Sequence, residues 1–190
     1  MAKNRTAEKQ EALNKQLLDA AHANNLAGIT QALKDGADVN AEDEKKLNSL
    51  HRVAWYGNAE AVKVVLEAGA EINALNDHQY TPLHWAADSN RTDVAEILLA
   101  AGADLTLKNT DGTTPIHNAR NCKHSELAEY MQAIGEGTKP RPTPQEVGLD
   151  MKKRNAALTG KLIVGKHTAK ALAGMEAQRQ AALNDPSEGI

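Results

Sequence analysis

Two sets of short strings recur along this chain at a single spacing of 33 residues. Leu50-His51, Leu83-His84 and Ile116-His117 stand in register, and so do Gly36-Ala37-Asp38, Gly69-Ala70-Glu71 and Gly102-Ala103-Asp104. Unrelated markers that hold one period over three copies define a stack of similar supersecondary units, each too small to bury its apolar face alone. Such an array presents extended surface rather than an enclosed cavity. The period therefore points to binding before it points to chemistry.

The copy from Asn76 to Lys108 gives the clearest reading. Polar turn residues lead into Thr81-Pro82, where the hydroxyl suits a helix N-cap and the proline a first helical turn. Leu83, Ala86 and Ala87 then form the apolar stripe of a short helix. Asp88-Ser89-Asn90-Arg91 breaks it, and a second helix follows with Val94, Ile97, Leu98 and Leu99 inward. Gly102 supplies a left-handed end to that helix. Aromatic residues are 3% of the chain and Phe is absent, so Ala, Leu and Val must fill a core of closely packed helices.

Tyr80-Thr81-Pro82-Leu83-His84-Trp85-Ala86-Ala87 resembles the TPLHxAA signature of ankyrin repeats, and Ile97-Leu98-Leu99-Ala100-Ala101-Gly102-Ala103-Asp104 resembles their VLLxxGAD. The resemblance spans about residues 9–137. It implies an all-α solenoid of stacked antiparallel helix pairs with turn tips projecting at right angles. Four repeats are expected, at about 9–42, 43–75, 76–108 and 109–137. The second has Asn48-Ser49 in place of Thr-Pro, with Ser49 expected to help start the helix. The first sets Leu17-Leu18 against Leu50-His51 and Gln31 against Val64. The last sets Arg120 against Ala87 and Gln132 against Leu99. Polar substitutions of this kind suit terminal repeats, whose outer face no neighbour covers.

Several groups look chemical and read better as structure. His51, His84 and His117 fall in a row, but stacked units stand too far apart to share one ion, and the resemblance implies hydrogen bonds to neighbouring turns. No metal and no cofactor is expected. Cys122, the only cysteine, has His117 and His124 nearby in sequence but no third group to orient a base. Gly160-Lys-Leu-Ile-Val-Gly165-Lys166 has the spacing of a phosphate-binding loop, yet His167 stands where Ser or Thr would hold magnesium and no buried strand precedes it. Arg154–Thr159 reads instead as a helix end.

The positions that the stack does not need are the candidates for binding. After the histidine positions come Arg52, Trp85 and Asn118; one helical step on come Trp55, Asp88 and Asn121, with Tyr56 beside Trp55. The resemblance implies that these line the concave inner-helix face. Tyr80 and the turn tips at 42–46, 77–80 and 110–112 form a second candidate surface. Both tryptophans of the chain lie in this set, as expected of an interface anchor.

Residues 138–144 read as a proline-rich linker and 145–190 as a basic helical tail. Residues 1–138 carry 13 Lys/Arg against 20 Asp/Glu, and residues 139–190 carry 9 against 5. Thr143-Pro144-Gln145-Glu146 has the form of a capping box opening a helix that runs to about Leu158. A second helix is expected from Thr168 to Asn184, with Leu172, Met175 and Leu183 on its apolar face. The tail either packs back on the last repeat, with Arg120 and Gln132 as the seam, or orders on a partner through Lys152, Lys153, Arg154, Lys161, Lys166 and Lys170.

The reading is a non-catalytic protein-binding module (adaptor, effector or inhibitor), with no enzyme activity of its own. Alternatives are nucleic-acid association through the tail, which would show as strong salt dependence, and a regulatory subunit delivering a partner enzyme. Residues 1–16 are charged without the apolar segment of a secretory signal, and no stretch approaches the roughly 20 apolar residues that cross a bilayer. The expectation is no membrane span and a cytoplasmic site of action, in its own cell or in one to which it is delivered.

Overall fold

A computed structural model describes the backbone of residues 2–164 and the side chains of 6–159. The helices pair in chain order: α1 (Ala2–His22) with α2 (Leu26–Lys34), α3 (Ser49–Tyr56) with α4 (Ala59–Glu67), α5 (Pro82–Asp88) with α6 (Thr92–Ala100), and α7 (Pro115–Asn121) with α8 (Ser125–Gly135). A last helix, α9, covers Met151–Val164. The described residues form no strand. α1, α3, α5 and α7 pack side by side as an inner row, while α2, α4 and α6 form an outer row behind them. Between pairs, a finger of turns projects from the stack.

Local chemistry sets the short inner helices. Thr81 and Thr114 cap α5 and α7 by accepting the N–H of His84 and His117, and Pro82 and Pro115 occupy the first turn. In α3 the cap is Asn48, not Ser49. The longer amide reaches the His51 N–H, which frees the Ser49 hydroxyl to donate to Val39 O at 3.1 Å. At the far end of the outer helices, Gly36, Gly69 and Gly102 hold φ values of +99°, +87° and +99°, where a side chain would be strained. The core is a continuous seam of Ala, Val and Leu, including the fully buried Leu17, Leu50, Leu66, Leu83 and Leu98.

Three hydrogen-bond ladders tie one pair to the next. His51 Nε2 bonds Tyr80 O at 3.0 Å, and His84 Nε2 bonds Thr113 O at 3.1 Å. The finger N–H groups of Asp77 and Thr110 donate to Lys45 O and His78 O. Asn40 and Asn73 accept the N–H of Glu71 and Asp104 from the next pair.

The two ends of the stack are finished differently. α1 has 21 residues, against 7 or 8 in the other inner helices. Its upstream turns stand in for a missing neighbour: Asn14 accepts the Asp38 N–H at 2.8 Å, the bond that Asn40 and Asn73 make further on. At the other end His117 is exposed and, among the described residues, its ring bonds only its own cap, Thr114. Arg120 donates to Gln132 there, and Gln132 donates to Glu136 at 2.5 Å, so a polar net closes the last pair.

Arg120 and Gln132 are thus partners of each other, and among the described residues the tail makes no hydrogen bond to either. The tail crosses the back of the stack instead. Arg141 Nη1 donates to Ala103 O at 2.8 Å and Leu99 O at 3.4 Å, at the C-terminus of α6. Arg154 Nη1 donates to Leu66 O at 2.9 Å and Ala70 O at 3.0 Å, at the C-terminus of α4. The four acceptors are the same two positions of successive repeats, 33 residues apart. Each cation therefore sits at a helix C-terminus, where carbonyls lack their full set of helical partners and the dipole end is negative. The box at Thr143 and Glu146 forms reciprocally, but Gly148 at φ +69° ends it as an isolated turn. α9 starts only after Asp150, whose carboxylate accepts the N–H of Lys152 and Lys153. The segment Thr168–Asn184 lies outside the described residues.

Candidate protein-binding face

The inner helices expose one face, and the sequence register places the candidate residues along it. Trp55 on α3 is 42% exposed, one of two large apolar side chains, with Leu75, left so open among the described residues. Its ring meets Trp85 of α5 edge to face, with centroids 5.1 Å apart, and Trp85 meets Tyr80 of the second finger at 6.5 Å in the same manner. Edge-to-face contact holds each ring by its neighbour and leaves faces open. Trp85 is partly exposed, but its indole Nε1–H is buried without an acceptor among the described residues. An orphaned donor of this kind costs about 1–3 kcal/mol. A recess of about 400 Å³ lies between the second and third fingers, lined by Asn76, His78, Tyr80, Trp85, Thr110 and Asp111.

Arg52 is committed within the chain. It donates to Asp43 Oδ2 at 2.5 Å in the first finger, and its Nη1 stands 2.7 Å from His22 Nδ1 on α1. Tyr56 lies edge to face against His22 at 6.3 Å. These contacts brace the first finger against the first two inner helices. They also close the floor of a cleft of about 1090 Å³ between the α1 extension and that finger, with Leu18 and Leu47 among its lining. Nothing in the repeat pattern announces this cleft, since only the first pair has so long a helix.

Further along, Asp88 is half buried, and burial pushes its carboxyl above the usual range although Asn118 donates to it. Asn118 is 5% exposed and also accepts from the Thr113 hydroxyl, so its amide serves the packing between α5 and α7. Asn121 is exposed. Arg52, Trp55, Tyr56, Tyr80, Trp85, Asp88 and Asn121 therefore retain some accessible surface along the inner row, while Asn118 keeps almost none.

The groups that looked chemical are otherwise engaged. In His51 and His84, Nδ1 accepts the N–H of Asn48 and Thr81, and Nε2 donates across the repeat boundary, so neither nitrogen is left for a metal. Burial pulls His51 down to about 4 and lowers His84 as well. The Cys122 thiol is pushed up, first by desolvation and then by Asp88, which works against a nucleophilic role. His124 Nε2 is 3.0 Å from Asp88 O. Gly160–Val164 continue α9 as helix, so this part of the glycine-lysine string forms no loop; Gly165 to His167 lie outside the described residues. No helix among the described residues is long and apolar enough to cross a membrane.

A family model for ankyrin repeats (3 copies) matches residues 17–109. With the paired helices, fingers and histidine ladder, this makes residues 17–109 an array of ankyrin repeats. Ankyrin repeats are generally protein–protein interaction modules and typically non-catalytic. The curated proteins include no match to this chain.

Proposed function

We propose that this chain is a non-catalytic binding module that holds a protein partner on its concave inner-helix face and fingers. The observation that carries the reading is Trp55, a large aromatic left 42% exposed and braced by Trp85, which Tyr80 meets in turn. A rigid aromatic at the centre of a preorganised face costs little entropy when a partner covers it. The candidate contact set is Arg52, Trp55, Tyr56, Tyr80, Trp85, Asp88 and Asn121. Asn118 supports Asp88 from behind.

The nucleic-acid alternative loses ground because Arg141 and Arg154 are bonded to carbonyls of the stack, which takes two cations from the tail. The test is capture of binding proteins from lysate by the wild type and by Trp55→Ala. The expected outcome is a specific partner lost with Trp55→Ala while the melting temperature is unchanged. A partner retained by Trp55→Ala but lost on deletion of residues 139–190 would move function to the tail.

A further inference from the structure

The recess between the second and third fingers has features that select its occupant. Tyr80 and Trp85 wall it with aromatic rings, and Asp111 lines it beside them. Thr110 N–H donates to His78 O at 3.0 Å, which ties the two fingers together and holds the walls in place. Asp111 has no ion pair among the described residues. An apolar occupant would leave the carboxylate desolvated and unpaired. An acidic occupant would meet Asp111 on a repeat body that carries 13 Lys/Arg against 20 Asp/Glu. A cationic side chain satisfies the rings and the carboxylate together.

We propose that this recess takes an arginine or lysine side chain from an extended segment of the partner. The proposal rests on the concave-face reading above and adds the chemistry of the ligand. The excess of acid over the repeats steers such a segment toward the face, and the aromatic walls retain it.

The experiment measures fluorescence anisotropy of a labelled Gly-Ser-Arg-Gly-Ser-Arg peptide against the full chain, beside peptides with Glu or Leu in place of Arg. The arginine peptide binds, the other two do not, and its affinity falls with added salt. Asp111→Asn, at an exposed tip, weakens binding roughly two- to fivefold. Trp85→Phe replaces the indole, the strongest cation–π ring, with a smaller one and weakens it roughly two- to threefold. Melting curves of both variants check that the fold survives, and Asp111→Asn carries the test if Trp85→Phe does not fold. Equal or tighter binding of the Glu or Leu peptide overturns the proposal. So does an arginine peptide that fails to bind, or that binds both folded variants as it binds the wild type. If it fails while capture of a partner still depends on Trp55, only the ligand class falls; if capture ignores Trp55, the concave-face reading falls instead.

Discussion

Replacing Arg154 by methionine separates the tail's packing from its polar contacts. The arginine is 7% exposed, and one nitrogen donates to both Leu66 O and Ala70 O. Methionine retains most of the buried stem and removes both donors. Leu66 O keeps the Gly69 N–H as a partner, so its loss is partial; Ala70 O loses a charge-assisted bond. A buried acceptor left without a donor costs about 1–3 kcal/mol. Loss of the cation from the α4 C-terminus adds about 0.3–1 kcal/mol. Burial lowers the Arg154 pKa, the signature of a desolvated cation, so some desolvation cost is recovered when the charge is removed. The expected net destabilisation is about 2 kcal/mol. It is read from urea unfolding followed by far-UV circular dichroism, with the slope compared to detect loss of two-state behaviour. A change below about 0.5 kcal/mol, the range of ordinary surface substitutions, would refute the claim that the tail is bonded into the stack.

Other perturbations test the remaining parts of the fold. Gly57 ends α3 at φ +75°, and a Cβ there would lie 2.4 Å from Arg91 Cδ, so Gly57→Ala should cost about 2 kcal/mol in urea unfolding and break the Arg91–Trp55 bond. Asn14→Ala should cost about 1 kcal/mol and speed hydrogen exchange in α1 and α2 before the later pairs; uniform exchange would contradict its role as a stand-in neighbour. His51 stays neutral in the fold down to about pH 4, whereas the unfolded chain takes up its proton near pH 6.5. The unfolded state therefore binds the extra proton between those values, and stability falls as pH drops through that window. The full loss from this one group is about 3 kcal/mol, with His84 adding in the same direction. Unfolding midpoints that stay level from neutral pH to about pH 4.5 would show that the histidine ladder is not buried as described.

The repeat period made most of the architecture legible, because each marker performs one local task. Thr-Pro caps and opens a helix, Gly supplies a left-handed end, and His bridges two turns. The terminal substitutions were readable for the same reason, although the partners that Arg120 and Gln132 find are each other. The α1 extension left only a negative sign: from Ala2 to His22 there is no Gly or Pro to stop the helix. The path of the tail left none. Arginine donating to backbone carbonyls requires no matching side chain, and Arg141 and Arg154 stand 13 residues apart while serving positions 33 apart. At the face, register placed Trp55, Trp85 and Asp88 on the inner row. It did not reveal that Asn118, with its short amide, turns inward to Thr113 and Asp88. Nor could it show that Arg52 spends its charge on Asp43 and His22, both outside the α3–α4 helix pair.

The central claim concerns which side of the stack meets the partner. A photo-crosslinking residue introduced in place of Asn121 on the inner-helix face, and separately in place of Lys152 on the exposed back of α9, tests it directly. A covalent adduct with the captured partner is expected from position 121 and none from position 152. An adduct from position 152 alone would place the partner on the tail and contradict the assignment of the aromatic face.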